Sequence, residues 1–235
     1  MNSKSMHWVN RLAALGLVAG LAAAGSAQAQ SVGGRAYSTY VNTPLGSSDQ
    51  SPLAVLPPVS GTDGAEADAE GSALNVVGAL SSDFLNSITS GELGTAESGA
   101  QSTASAASVN VLNGLITADE VVANVESSVT SSGAVSDADG STVTNLAIAG
   151  VGSLAGDQPV APNTNISLPG VGYVVLNEQI PSGDGVTSSG LTVNMIHVFL
   201  QSLTGGTCVL GVCTPRTLTN TGEIIVGSAT SSVGP

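Results

Sequence analysis

Apolar and small polar residues alternate along most of this chain, and the alternation has period two. Val121, Ala123, Val125, Ser127 and Val129 fall opposite Val122, Asn124, Glu126 and Ser128, which describes a strand with one buried and one wet face. The same alternation, with β-branched and aromatic residues, marks strands in Ser31 to Val41, Gln101 to Leu112, Thr142 to Ala149, Tyr173 to Leu176, Leu191 to Leu200 and Glu223 to Ala229. In the first of these, Tyr37 and Val41 are expected on one side. Leu53 to Leu56, bounded by prolines, reads as a short edge strand. Ala73 to Thr89 suits either period: two short strands are favoured, because Gly78 and Ser81-Ser82-Asp83 weaken a helix, and one helix is the alternative.

Turn chemistry separates these segments. Asn113-Gly114 is the strongest hairpin signal. Asp137 to Gly140 turns the chain again, and Pro181 to Gly185 joins the two most confident strands as a hairpin connection. Pro169-Gly170 favours a type II bend, which does not match a tight two-residue hairpin, so a kinked or bulged strand is expected there. NLAIAGVG at Asn145 to Gly152 matches NISLPGVG at Asn165 to Gly172, twenty residues on. A β-solenoid coil would repeat at such an interval, but no third copy is present, and coincidence of composition is the preferred explanation. Gln201 to Thr221 reads as a long loop carrying both cysteines.

Met1 to Ala29 has the form of a signal peptide: Lys4 and Arg11 precede a short apolar run, and Ala27-Gln28-Ala29 is a small-x-small cleavage site. The apolar run is shorter than the roughly 20 residues of a spanning helix. Removal of this leader places residues 30–72 first, a strand followed by a Pro-rich and acidic linker arm. Residues 73–235 then form the β domain, most simply as one unit with the arm.

Charge narrows the partners. Beyond the leader, two basic residues, Arg35 and Arg216, stand against 17 acidic ones, a balance of −15. Nucleic acid and anionic membrane surfaces are disfavoured, since both are bound through Lys and Arg. No lysine remains for Schiff-base chemistry. Multivalent cations and cationic surfaces are left, although an acidic surface also serves solubility alone.

Few residues suggest chemistry. Cys208 and Cys213 are the only cysteines of a chain that reads as exported, and a disulfide between them is the natural expectation. Asp137, Asp139 and Ser141 place oxygens at alternate positions of a turn, as calcium loops do. Gly140 comes too early for the glycine of an EF-hand and Ile148 stands where a bidentate Glu is needed, so a plain turn is preferred. His197 is expected on the face shared by Leu191, Val193, Met195 and Phe199, as a sheet histidine rather than a general base, for no activated-serine motif accompanies it. Glu178 is the acid best fixed by a strand, yet no second carboxylate can be paired with it from sequence. Asn165-Ile166-Ser167 is a glycosylation sequon.

The succession NGLITADEVVANVES (Asn113 to Ser127), LPGVGYVVLNEQ, LTVNMIHVFL and GEIIVGSA (Gly222 to Ala229) resembles the secreted choice-of-anchor P family over most of the mature chain. The resemblance implies export and a surface or extracellular role, and it carries no catalytic residue.

The expected fold is an antiparallel β-sandwich of jelly-roll type, with a parallel β-helix as the alternative. The expected function is that of a non-catalytic secreted or cell-surface structural or adhesion protein, a matrix or coat component without a cofactor. Its partners would be other copies of itself, envelope components or a glycan. One assembly route would add the strand Ser31 to Val41 to a neighbour's sheet edge. The alternative is a calcium-dependent or carbohydrate-binding module, and a secreted hydrolase comes third.

Overall fold

The computed structural model describes residues 31–206, 208–209, 212–213 and 215–235. The signal peptide expected over Met1 to Ala29 lies outside them. The chain runs β1 (Ser31–Thr43), β2 (Gly46–Val55), a 3-10 turn (Gly61–Asp63), β3 (Ala65–Gly71), β4 (Leu74–Val76), β5 (Leu80–Ser82), β6 (Leu85–Leu93), β7 (Glu97–Val111) and β8 (Ile116–Thr130). Short elements follow: β9 (Gly133–Asp137), β10 (Thr142–Thr144), β11 (Ala147–Ile148), β12 (Gly152–Ser153) and β13 (Asp157–Gln158). The last group is β14 (Thr164–Leu168), β15 (Gly172–Gly183), β16 (Ser189–Thr204), β17 (Cys208–Val209), β18 (Val212–Cys213) and β19 (Thr217–Gly234).

Two antiparallel sheets form a sandwich. The first has six strands in the order β14-β15-β16-β19-β1-β2. The second has eleven and is built on the long β7–β8 hairpin, with β6 and β3 beyond β7 and the short strands β9, β10 and β11 along β8. Every pairing described is antiparallel, so the parallel β-helix is set aside. β1 and β19 pack across β6, β7 and β8. Among the described residues no helix is long and apolar enough to cross a membrane.

Alternation explains the strands that were expected. Val121, Ala123, Val125 and Ser127 are fully buried, and the loop after Val111 carries positive φ at Leu112, Asn113 and Gly114, as the Asn-Gly signal required. The two Gly-Val-Gly repeats make the same turn: Gly150 and Gly170 have φ of 77° and 78°, and Val151 and Val171 donate to Ile148 and Leu168, each at 3.0 Å. The second turn closes the β14–β15 hairpin, where a kinked strand was expected. Val171 lengthens the connection to three residues, Pro169 to Val171, which lets the bend fit.

Three expectations are corrected. The stretch 42–72 is not an extended connection. It forms β2 on the edge of the first sheet and β3 on the second, because Glu66, Asp68 and Glu70 alternate with alanines at strand period. The long loop expected over Gln201 to Thr221 is largely a two-stranded ribbon, with Leu203 opposite Leu218. Tyr37 and Val41 do not share a face, since Val41 joins the apolar core and Tyr37 lies level with Ser228 on the outer side.

The last correction has one physical cause. The registers run unchanged past Asn177, Met195, Gly227 and Ser38, yet no ladder pair forms on that row, and the inward positions change parity across it. Asn177 and Gly227 reach φ of 48° and 67° there. Ile224 and Val226 point into the core before the row; Ala229, Ser231 and Val233 are the buried positions after it. A backbone in the left-handed region turns its side chain over without shifting the pairing.

The interior has two zones. Leu80, Leu85, Ile116, Leu176, Met195, Ile196, Val198 and Ile224 fill one, each such side chain contributing about 1.5–3 kcal/mol by its burial. Hydroxyls fill the other: Ser127 Oγ meets Ser231 Oγ at 2.6 Å, Ser136 meets Ser189 at 2.7 Å and Ser38 meets Ser87 at 3.1 Å, each pair joining the two sheets. No buried side-chain nitrogen or oxygen among the described residues lacks a partner.

Candidate functional site

The parity change sends polar and aromatic side chains to the outer face of the six-stranded sheet. Register places Val175, His197, Ile225 and Tyr40 side by side on β15, β16, β19 and β1. The next row is Tyr173, Phe199, Glu223 and Asn42, and on the other side stand Glu178, Asn194, Ser228 and Tyr37. His197 therefore does not share a face with Leu191, Val193 and Met195, which are in the core, although Phe199 does stand beside it.

His197 is held between two carboxylates. Nδ1 lies 2.7 Å from Glu178 Oε2 and Nε2 lies 3.3 Å from Glu223 Oε2. Carboxylates only accept, so an imidazolium, with both nitrogens donating, satisfies both contacts, whereas a neutral ring satisfies one. Asn194 Nδ2 donates to the same Glu178 oxygen at 2.7 Å, and Ser228 Oγ donates to Asn194 Oδ1 at 2.7 Å. The hydrogen bond from His197, with that from Asn194, holds the Glu178 carboxyl below its ordinary range despite burial. Burial pushes the Tyr37 phenol up, against the opposing effect of a hydrogen bond with Ser228. The rings of Tyr173, Phe199 and His197 form a stack, with centroids 4.7 Å and 3.9 Å apart.

This cluster supplies the partner that sequence reasoning missed for Glu178. Glu223 is its other carboxylate, and only the register of β16 with β19 brings it near. The arrangement is closed on itself: the imidazole bonds the two acids rather than a hydroxyl, so it holds no activated nucleophile.

The other outer face is acidic. Asp63, Glu66, Glu92, Glu97 and Glu126 line an open cavity of about 530 Å³ over β3, β6, β7 and β8. Burial, with Asp137 and Glu97 nearby, raises the Glu126 carboxyl. Exposed Ile88 and Val135 flank the cavity on the same face. A second, apolar cavity of about 300 Å³ lies between the β11–β12 turn and β14, lined by Leu146, Ile148, Val160 and Ile166.

The calcium candidates form a compact turn. Asp139 N–H donates to Asp137 Oδ1 at 3.1 Å, and Ser141 Oγ is bonded to the backbone of Asn124, 2.9 Å from both its N and its O. Ser141 is thus turned onto β8, away from the two aspartates. Among the described residues no group of three His, Cys, Asp or Glu side chains could hold a metal ion. Asn165 and Ser167 of the sequon are exposed on the edge strand β14. Cys208 and Cys213 stand opposite each other in the β17–β18 pair. β1, the strand expected to reach a neighbour, lies in its own sheet between β19 and β2.

Comparison with protein-family models, with curated proteins and with solved structures finds no match to this chain.

Proposed function

We infer that the protein is a non-catalytic extracellular structural or adhesion component, exported by its leader and working through its outer surfaces. One observation carries this reading: the strongest polar cluster, His197 with Glu178 and Glu223, bonds to itself on an outer sheet face. General acid–base work needs those groups aimed at a substrate. The resemblance of its strands to the choice-of-anchor P family points the same way, and a Cys208–Cys213 disulfide suits an oxidising exterior. Fractionation of a producing culture tests the role. Recovery with the insoluble extracellular material and cell surface supports it, and recovery only as free protein in the medium, or inside the cell, contradicts it.

A second reading, glycan binding, rests on Tyr173. Its ring ends the aromatic stack, and its neighbour on β14 is the small, exposed Ser167, which leaves room for a sugar ring beside it. A glycan array probed with the wild type and with Tyr173→Ala tests this: retention lost in the variant supports it, and no retention of either opposes it.

A further inference from the structure

Beyond Leu200 and Gly222 the strands β16 and β19 leave the sheet. Gln201 still donates its N–H to Val171 O at 2.8 Å, but Ser202 to Thr204 pair only with Thr219 to Thr217, since β15 ends at the Gly172–Leu200 pair and β1 at the Asn42–Glu223 pair. The result is a ribbon that projects past the sandwich. Its two faces differ: Thr204 Oγ1 meets Thr217 and Thr219 hydroxyls at 3.0 and 3.2 Å on one, and Leu203 and Leu218 stand together on the other. Both leucines are solvent-exposed, at 58% and 63%. Two large apolar side chains paired on a projecting ribbon have no role in the core of their own molecule.

Arg216 follows directly on this ribbon. It is exposed, its stem lies beside Gly206, and among the described residues it makes no ion pair. Only one other Lys or Arg, Arg35, lies among the described residues, and it is bonded to Gln50. The ribbon thus presents one unpaired cation beside an apolar pair.

The complement is on the same molecule. The acidic cavity over β6, β7 and β8 offers five carboxylates with Ile88 and Val135 beside them. Crowding and burial already penalise charge at Glu126, and an entering guanidinium would relieve that penalty. A ribbon cannot reach its own cavity. Gly91, on the cavity rim, faces Val32 and Leu56 at the Ser31 end of β1, while the ribbon departs at the Asn42 end. β1 has 13 residues, roughly 40 Å of strand.

We propose that the ribbon of one molecule, through Arg216, Leu203 and Leu218, docks in the acidic cavity of a second copy, between Ile88 and Val135. The contact joins two different surfaces, so each docked copy leaves a ribbon and a cavity for further copies, and assembly continues head to tail into a ring or a filament. It rests on the structural role inferred above and names the partner as the protein itself. The guanidinium supplies bidentate bonds to carboxylates and the leucines supply the apolar rim, a pairing suited to an interface centre.

Light scattering on the full chain over a range of concentrations tests the contact, with folding of each variant checked by circular dichroism. The wild type should rise above monomer mass as concentration increases. Arg216→Glu should weaken association at least tenfold, and Glu66→Lys with Glu126→Lys should do the same. Combining all three substitutions in one chain reverses both charges and should restore the wild-type mass. Assembly unaffected by Arg216→Glu overturns this contact and leaves the structural role standing; failure of the triple variant to recover, with its fold intact, also overturns the contact. A wild type that stays monomeric throughout also overturns the contact, while the structural or adhesion role is decided by the fractionation.

Discussion

Glu178 Oε2 lies 2.7 Å from His197 Nδ1 across the β15–β16 pair, and this contact makes the stability of the fold depend on pH. The Glu178 carboxyl is held below its ordinary value of 4.5 in the folded protein, chiefly by the His197 hydrogen bond. A depressed carboxylate contributes stability that is complete above its unfolded pKa and disappears as pH falls through the folded one. Wild-type stability should therefore decline as pH falls below the ordinary carboxyl value of 4.5. Glu178→Gln should be less stable at pH 7 and lose less on acidification, as urea unfolding at each pH would show. Equal acid slopes would count against the contact.

Ser127 and Ser231 share a hydrogen bond of 2.6 Å between the sheets, and Ser127 also bonds Ser136 at 2.7 Å. Removing the Ser127 hydroxyl leaves the buried Ser231 hydroxyl without this partner, at a cost of about 1–3 kcal/mol, whereas removing that of Ser231 leaves Ser127 its bond to Ser136. Ser127→Ala should destabilise by that order and Ser231→Ala by less, and the double variant should lose less than the two together. A double-mutant cycle by chemical denaturation reads this directly; additive losses would mean that the hydroxyls do not act as a pair.

Gly227 holds the parity change in β19. Its φ is 67°, and a Cβ there would stand 3.0 Å from Val121 Cγ1. Gly227→Ala should cost about 1–3 kcal/mol in backbone strain, with the side-chain crowding added. Gly150 is the control: its φ is 77° but nothing lies within 4 Å of an added Cβ, so Gly150→Ala should cost less. Thermal melting of the two variants decides the order.

Cys208 and Cys213 are register partners at the end of the projecting ribbon. The purified chain should be about 2 Da lighter before reduction than after, since closing a disulfide removes two hydrogens. Reduction should also speed amide exchange at Leu203 and Thr204 while leaving the β7–β8 hairpin protected. An unchanged mass would remove the crosslink.

Much of the sandwich is legible in the sequence because its strands keep strict period two. Val121 to Val129 and the Asn113-Gly114 hairpin are examples, as is the pairing of Tyr173–Leu176 with the strand through His197. The candidate site was not legible, for a specific reason. Period two predicts a face only while φ stays negative, and Asn177 and Gly227 reverse the parity inside strands whose apolar alternation alone does not announce it. Alternation therefore groups His197 with Leu191, Val193 and Met195 as well as with Phe199, its one true neighbour of the four, and Glu223, twenty-six residues away, is not recognisable as its second carboxylate. An Asn or Gly inside an otherwise regular strand was the one available sign. The ribbon was hidden differently. Its Thr, Gly and Asn content reads as loop, and only the match of Leu203 to Leu218 across the chain reversal makes it a strand pair.

Sedimentation velocity of the unmodified full chain over a hundredfold range of concentration tests the structural role most directly, run once with calcium and once with chelator. A protein that assembles through its own ribbon and cavity should move from monomer to progressively faster boundaries as concentration rises, and in the same way in both buffers, because Arg216 supplies the cation. One monomer boundary at every concentration would contradict self-assembly, and faster boundaries that appear only with calcium would move the cation from Arg216 to a metal.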